Sequence, residues 1–160
     1  MKSTILGLAC VAAFSTASTA TATAANAQLE APIHQFIDAF NKGDVKAAGA
    51  THLASGISII DEVPPHNWQG PKAFGTWAAD LTKNDKAAGI SDEKVTLGAV
   101  TREVMSPDTA YVIVAATYTF KQKGVAMREP AQMTFALKKD SGAWKIAGWT
   151  WSGPDPTPAK

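Results

Sequence analysis

Apolar positions along the chain repeat first with the period of a helix and later with the period of a strand. Leu29, Ile33, Phe36, Ile37 and Phe40 recur at three- and four-residue steps, which predicts an amphipathic helix over about residues 29–42. Gly43 ends it, and Asp44 stands where a cap for the next helix belongs. Val45, Ala48, Gly49, His52 and Leu53 predict a short second helix, broken at Gly56. Ile57, Ser58, Ile59 and Ile60 then read as a brief strand running into Asp61. Residues 62–70, with Pro64 and Pro65, read as a loop. Pro71 suits the first turn of a third helix, whose face is Phe74, Trp77, Ala78 and Leu81 and which stops before Gly89.

Beyond Gly89 the period becomes two. Four strands are predicted over about residues 94–105, 110–121, 126–138 and 144–152, with turns at Pro107-Asp108, Lys123-Gly124 and Asp140-Ser141-Gly142. Pro130 lacks an N–H and belongs at a bulge or an unpaired position of the third of these strands. The proline-bearing tail from Gly153 reads as loose. The order predicts an α+β domain, a curved antiparallel sheet wrapped around three N-terminal helices. If Thr134 and Ala136 face the concave side, Met133, Phe135 and Leu137 form an outer face too apolar for water. That arrangement predicts a homodimer covering the outer face.

The N-terminus changes the domain count. Lys2, a short apolar run over residues 5–14 and a Ser/Thr/Ala stretch ending in Ala25-Asn26-Ala27 read as a secretory signal peptide over residues 1–27. The run is too short to span a bilayer. The domain then occupies residues 28–153 and the tail residues 154–160, in a periplasmic or secreted protein. Cleavage removes Lys2 and Cys10, leaving 14 basic and 14 acidic residues and no cysteine. Near-zero charge offers no footprint for nucleic acid. Disulfides, thiol catalysis and cysteine metal sites are excluded. His34, His52 and His66 lack zinc-helix spacing, and there is no phosphate loop and no nucleophile elbow. No metal or organic cofactor is implied.

Three stretches together carry a family resemblance: Phe40-Asn41-Lys42-Gly43-Asp44, residues 57–70, and residues 142–152 with their aromatic ending. The chain resembles the NTF2-like superfamily, and within it the SnoaL-like and ketosteroid-isomerase-like proteins. The resemblance implies a cone, its sheet curled around a helix-plugged pocket. It also implies that Asp61, followed by Gly70, stands at the position of the isomerases' general base. A carboxylate at a pocket mouth suits that work, because desolvation raises its pKa. The rest of the isomerase site is replaced. Phe36 stands near the position of the oxyanion tyrosine, and Thr134, by rough strand matching, near that of the protonated acid. Neither supplies the acidic donor required, which argues against steroid isomerisation by that mechanism. Trp151 keeps the aromatic end of the last strand.

Each candidate also has a plain structural role. Asp61 would cap a turn before Pro64 if it is not a base. His66, beside Asn67 and Trp68 in the loop over the expected mouth, is either a second acid/base group or an exposed loop histidine. Trp68, Trp77, Trp149 and Trp151 are pocket walls or core. An inward Tyr118, in phase with Val114 and Ala116, would replace the missing donor. Arg128 and Glu129 read as a solvated pair, and His34 and His52 as structural. Three functions stay open: an exported binding protein for a small apolar or aromatic molecule; a cofactor-independent isomerase, lyase or hydrolase with Asp61 as base; or a non-catalytic interaction domain. Fold does not choose among them, and the incomplete catalytic set favours binding.

Overall fold

The computed structural model describes residues 17–160; the leader positions before Ala17, with Lys2 and Cys10, lie outside the described residues. Helix α1 (Ala17–Asn41) starts upstream of the expected Leu29 and runs through the expected cleavage site. Its stripe of Leu29, Ile33, Phe36 and Ile37 is buried. Helix α2 (Val45–Ala50) is capped by Asp44, whose carboxylate accepts from Ala47 N at 2.8 Å. It is shorter than expected, with Thr51 and His52 past its end. Strand β1 (Ser58–Ile60) pairs with β2 (Asn67–Gln69) in a hairpin, so the stretch read as loop contains a strand. Helix α3 (Ala73–Ala88) follows. No described helix is long and apolar enough to cross a membrane.

The long strands are β3 (Ile90–Met105), β4 (Thr109–Gln122), β5 (Val125–Asp140) and β6 (Ala143–Ser152), with a short β7 (Thr157–Pro158). Their order is β2-β1-β6-β5-β4-β3, with β7 on β5. All pairs are antiparallel except β1 with β6. That parallel pair forces a close approach: a Cβ on Gly148 would lie 2.6 Å from Ser58 O, so only glycine fits there. Three register shifts between β3 and β4 and one between β5 and β6 bend the strands. The result is the expected α+β cone, an unclosed curved sheet around the helices.

Side-chain phase corrects the reading of the sheet. Met133, Phe135 and Leu137 are buried in the core, paired in register with Val114, Val112 and Ala110 of β4 on the same face. Thr134 is on the opposite, outer face, between Ile113 and Thr150, so it does not enter the cone. The apolar outer face that motivated a homodimer is therefore the inner face, and that argument loses its premise. On β6 the register shift falls at Ala147, which brings Ile146 into the same inward set as Trp149 and Trp151. The phase of a single strand does not reveal such a shift.

The tail read as loose pairs with the sheet. Once β6 ends opposite Gln132, the neighbouring edge of β5 is open, and β7 takes it by pairing with Met127 and Arg128. Ala159 N adds a bond to Ala126 O at 2.9 Å. Pro130 lies in the gap between the two partners, where β5 has a neighbour only in Thr117 of β4. That is the one-sided position its missing N–H requires.

Candidate functional site

The inner face and the helices leave a cavity of about 260 Å³. Its apolar wall is aromatic: Phe36 and Phe40 from α1, Trp77 from α3, Tyr118 and Phe120 from β4, and Trp149 and Trp151 from β6. Phe36 is the hub. Its ring centroid lies 5.0 Å from that of His52, 5.6 Å from Trp149 and 6.3 Å from Trp77. Trp149 meets Trp77 edge-on at 4.9 Å, in the geometry that aromatic quadrupoles favour.

His52 fixes Trp149 from behind. Its Nε2 accepts from Trp149 Nε1 at 3.1 Å, so its Nδ1 carries the proton and donates to Ala48 O at 3.0 Å. Burial holds this imidazole down at about 4, with the Lys145 charge adding to the effect. His52 is thus a neutral structural residue, although it sits past the end of α2 and not on its face.

Polar groups gather on the same wall. Asp61, just past β1, accepts from Trp77 Nε1 at 2.7 Å and from Glu62 N at 2.6 Å. Burial raises its pKa against these hydrogen bonds and the His66 charge. Glu129 of β5 is 2% exposed and accepts from Trp151 Nε1 at 2.6 Å. Burial, with the charges of Glu62, Asp61 and Asp155, pushes it up to about 7 against the Trp151 hydrogen bond. Asp85 of α3 is likewise pushed up to about 7, by burial and then by the Glu93 charge. Tyr118 faces Glu129 across the β4–β5 pair and donates to Glu93 Oε1 at 2.5 Å. Burial and that glutamate raise its pKa as well.

Of the residues singled out in the sequence, the cavity wall holds Asp61, Phe36, Trp77, Tyr118, Trp149 and Trp151. Three lie elsewhere. His66 is exposed, at a positive φ of 73°, and its Nδ1 meets the backbone oxygen of Asp61 at 3.2 Å rather than the carboxylate. Trp68 is buried outside the wall because its indole donates to Asp80 Oδ2 at 2.9 Å, which turns the ring onto α3. Thr134 is on the outer face of the sheet.

Three acids of the wall were missed, Glu62, Asp85 and Glu129. Glu129 was read as half of a solvated pair with Arg128, but only Arg128 is exposed. The signal was present: Glu129 shares its phase with Ala131, Met133, Phe135 and Leu137. Asp85 was legible too, eight residues from Trp77 and four from Leu81 on one helix face. Among the described residues no group of three or more His, Cys, Asp or Glu side chains is arranged to hold a metal ion.

Comparison with known proteins places this geometry. The chain is similar in structure to a ketosteroid isomerase-like protein from Erwinia carotovora atroseptica, with a TM-score of 0.65 and 24% identity over 81% of this chain and 96% of that one. A hexachlorocyclohexane dehydrochlorinase from Novosphingobium barchaimii gives a TM-score of 0.69 at 16% identity, over 86% of this chain and 92% of that one. An NTF2-like superfamily protein from Salmonella enterica gives 0.67 at 17% identity, over 84% and 94%. At these identities the likeness is one of fold. No curated protein matches by sequence. Residues 29–156, nearly the whole folded unit, match the SnoaL-like domain, and the chain belongs to that family.

Proposed function

We propose that this protein binds a small, largely apolar molecule, one bearing a ring, inside its cone. The observation that carries the reading is the cavity of about 260 Å³, walled by aromatic rings from α1, α3, β4 and β6 with a few polar groups among them. Apolar walls with sparse, oriented polar groups are what small-molecule sites are made of. Trp77, Trp149 and Trp151 report on occupancy. Naphthalene, a neutral ring that fits such a space, is expected to change tryptophan emission saturably. Leu81→Trp, which fills the cavity from α3, is expected to abolish that change. An unsaturable or unaltered response would sink the binding reading.

Residues 1–27 fit an export leader, placing the mature protein in the periplasm or outside the cell. Pro32 supports this. In α1 as it stands it is an interior proline, which costs a hydrogen bond. In a helix starting at Leu29 it falls among the first four residues, whose N–H groups have no helical acceptor. The intact mass of the exported protein is expected to correspond to a chain beginning at Gln28; an exported chain still beginning at Met1 would exclude cleavage.

A second reading, proton-transfer catalysis, is favoured by Asp61. Its carboxylate is aligned by the Trp77 indole and the Glu62 amide, and partial desolvation raises its basicity. Such a group suits removal of a C–H proton in an isomerisation or an elimination, and similar structures carry the names of an isomerase-like protein and a dehydrochlorinase. Asp61→Asn keeps the acceptor for Trp77 and removes the base. Any turnover is expected to fall by about 10²–10⁴-fold with the melting temperature preserved. Unchanged turnover would remove Asp61 as the base.

A further inference from the structure

We propose that the cavity takes a small organic cation, a protonated or quaternary amine carried on an apolar body. The inference rests on the binding reading above and names the class of ligand. Its first ground is the charge of the wall: Asp61, Glu62, Asp85 and Glu129 line the cavity, and among the described residues no lysine, arginine or histidine does. Its second is Glu129. The side chain is 2% exposed and lines the cavity, yet among the described residues its only hydrogen-bond donor is the Trp151 indole, on Oε1. Oε2 has no protein donor among the described residues, and since no buried side-chain oxygen or nitrogen among them lacks a partner, this oxygen is reached from the cavity. A carboxylate set in an apolar wall is costly without a partner, and a cation at that point would supply one.

The third ground is the aromatic surround. Rings of Trp77, Tyr118, Trp149 and Trp151 line the same space, and aromatic rings are the side chains that hold quaternary ammonium groups. Neutral apolar ligands would use the rings and leave the carboxylates unpaired. An anion would meet four acids. The arrangement selects a positive head on an apolar body.

A pH dependence follows. The groups facing Glu129 are Tyr118 from β4, Trp151 from β6, Asp61 and Glu62 beyond β1, and Asp155 from the tail; none is cationic. In the empty cavity Glu129 therefore keeps its proton up to about pH 7. A bound cation favours the ionised form and expels that proton. Affinity for a cation rises as pH increases through about 7, and affinity for a neutral molecule of the same shape does not.

The test compares benzyltrimethylammonium with neopentylbenzene, which differ only by N⁺ in place of carbon, using tryptophan emission of the full mature protein. The cation is expected to bind at least about ten-fold more tightly at pH 8, with the gap shrinking toward pH 5.5. Glu129→Gln is expected to remove about ten-fold from the cation's affinity and to spare the neutral probe. Equal or tighter binding of neopentylbenzene by the wild-type protein overturns the inference while the apolar-pocket reading stands. Saturable binding of neither probe overturns both. The wild-type comparison needs no variant, so it decides the matter even if Glu129→Gln fails to fold.

Discussion

Phe36→Ala is expected to destabilise the protein by about 3–5 kcal/mol, the usual cost of emptying a fully packed phenylalanine site. The ring is 1% exposed and touches five others: His52, Phe74, Trp77, Phe135 and Trp149. These come from the segment after α2, from α3, from β5 and from β6, so no single element can relax to fill the gap. With total stabilities of about 5–15 kcal/mol for domains of this kind, the loss is a large share. The void would also join the existing cavity, since Phe36 is part of its wall. Urea unfolding followed by far-UV circular dichroism measures the change. A loss below about 1.5 kcal/mol would show that the ring is not packed as described.

That hub was visible in the sequence as the centre of the Leu29–Ile33–Phe36–Ile37 stripe, because a helix repeats its face without reference to anything else. Strand faces were harder. On β5, Met133-Phe135-Leu137 and Thr134-Ala136 are both tolerable inward sets, and the assumption of a hollow interior favoured the small one. Phe135 and Leu137 fill the core at their level, and Met133 turns in to line the cavity. Only nearer Glu129 and Trp151 does the space open. The inward turn of Ile146 depends on a register shift against β5, which exists only in the pairing of two strands.

The site was legible in part for the same reason. Trp77, Tyr118, Trp149 and Trp151 were found because aromatic residues draw notice wherever they stand. Glu129 was passed over because a charged residue beside an arginine near a turn looks solvated. Its phase with Met133 and Phe135 outweighed its charge, and the Trp151 indole made its burial tolerable. Trp68 lies outside the wall, and His66 stays exposed and away from the Asp61 carboxylate, through local bonding that spacing cannot convey. His66 is held at the Asp61 backbone and Trp68 at Asp80.

Gly153→Ala probes that carboxylate from the outside. A Cβ at Gly153 would lie 2.2 Å from Glu129 Oε1 and 3.0 Å from Ala131 Cβ. Glu129 would have to leave its place, breaking the bond from Trp151 and stranding the indole N–H. The expected cost is about 1–3 kcal/mol, the range for a buried polar group deprived of its partner. The new methyl group occupies the volume that a shorter side chain at residue 129 would vacate. In Glu129→Ala/Gly153→Ala the clash with the carboxylate is gone, so the double variant should be more stable than the two single losses predict when added. A coupling of about 1 kcal/mol or more is expected from the thermal or urea cycle. Additive losses would mean that Gly153 is needed for the backbone of the β6–β7 connection. A coupled result would show that glycine at this position leaves room for a carboxylate in the wall of the cone.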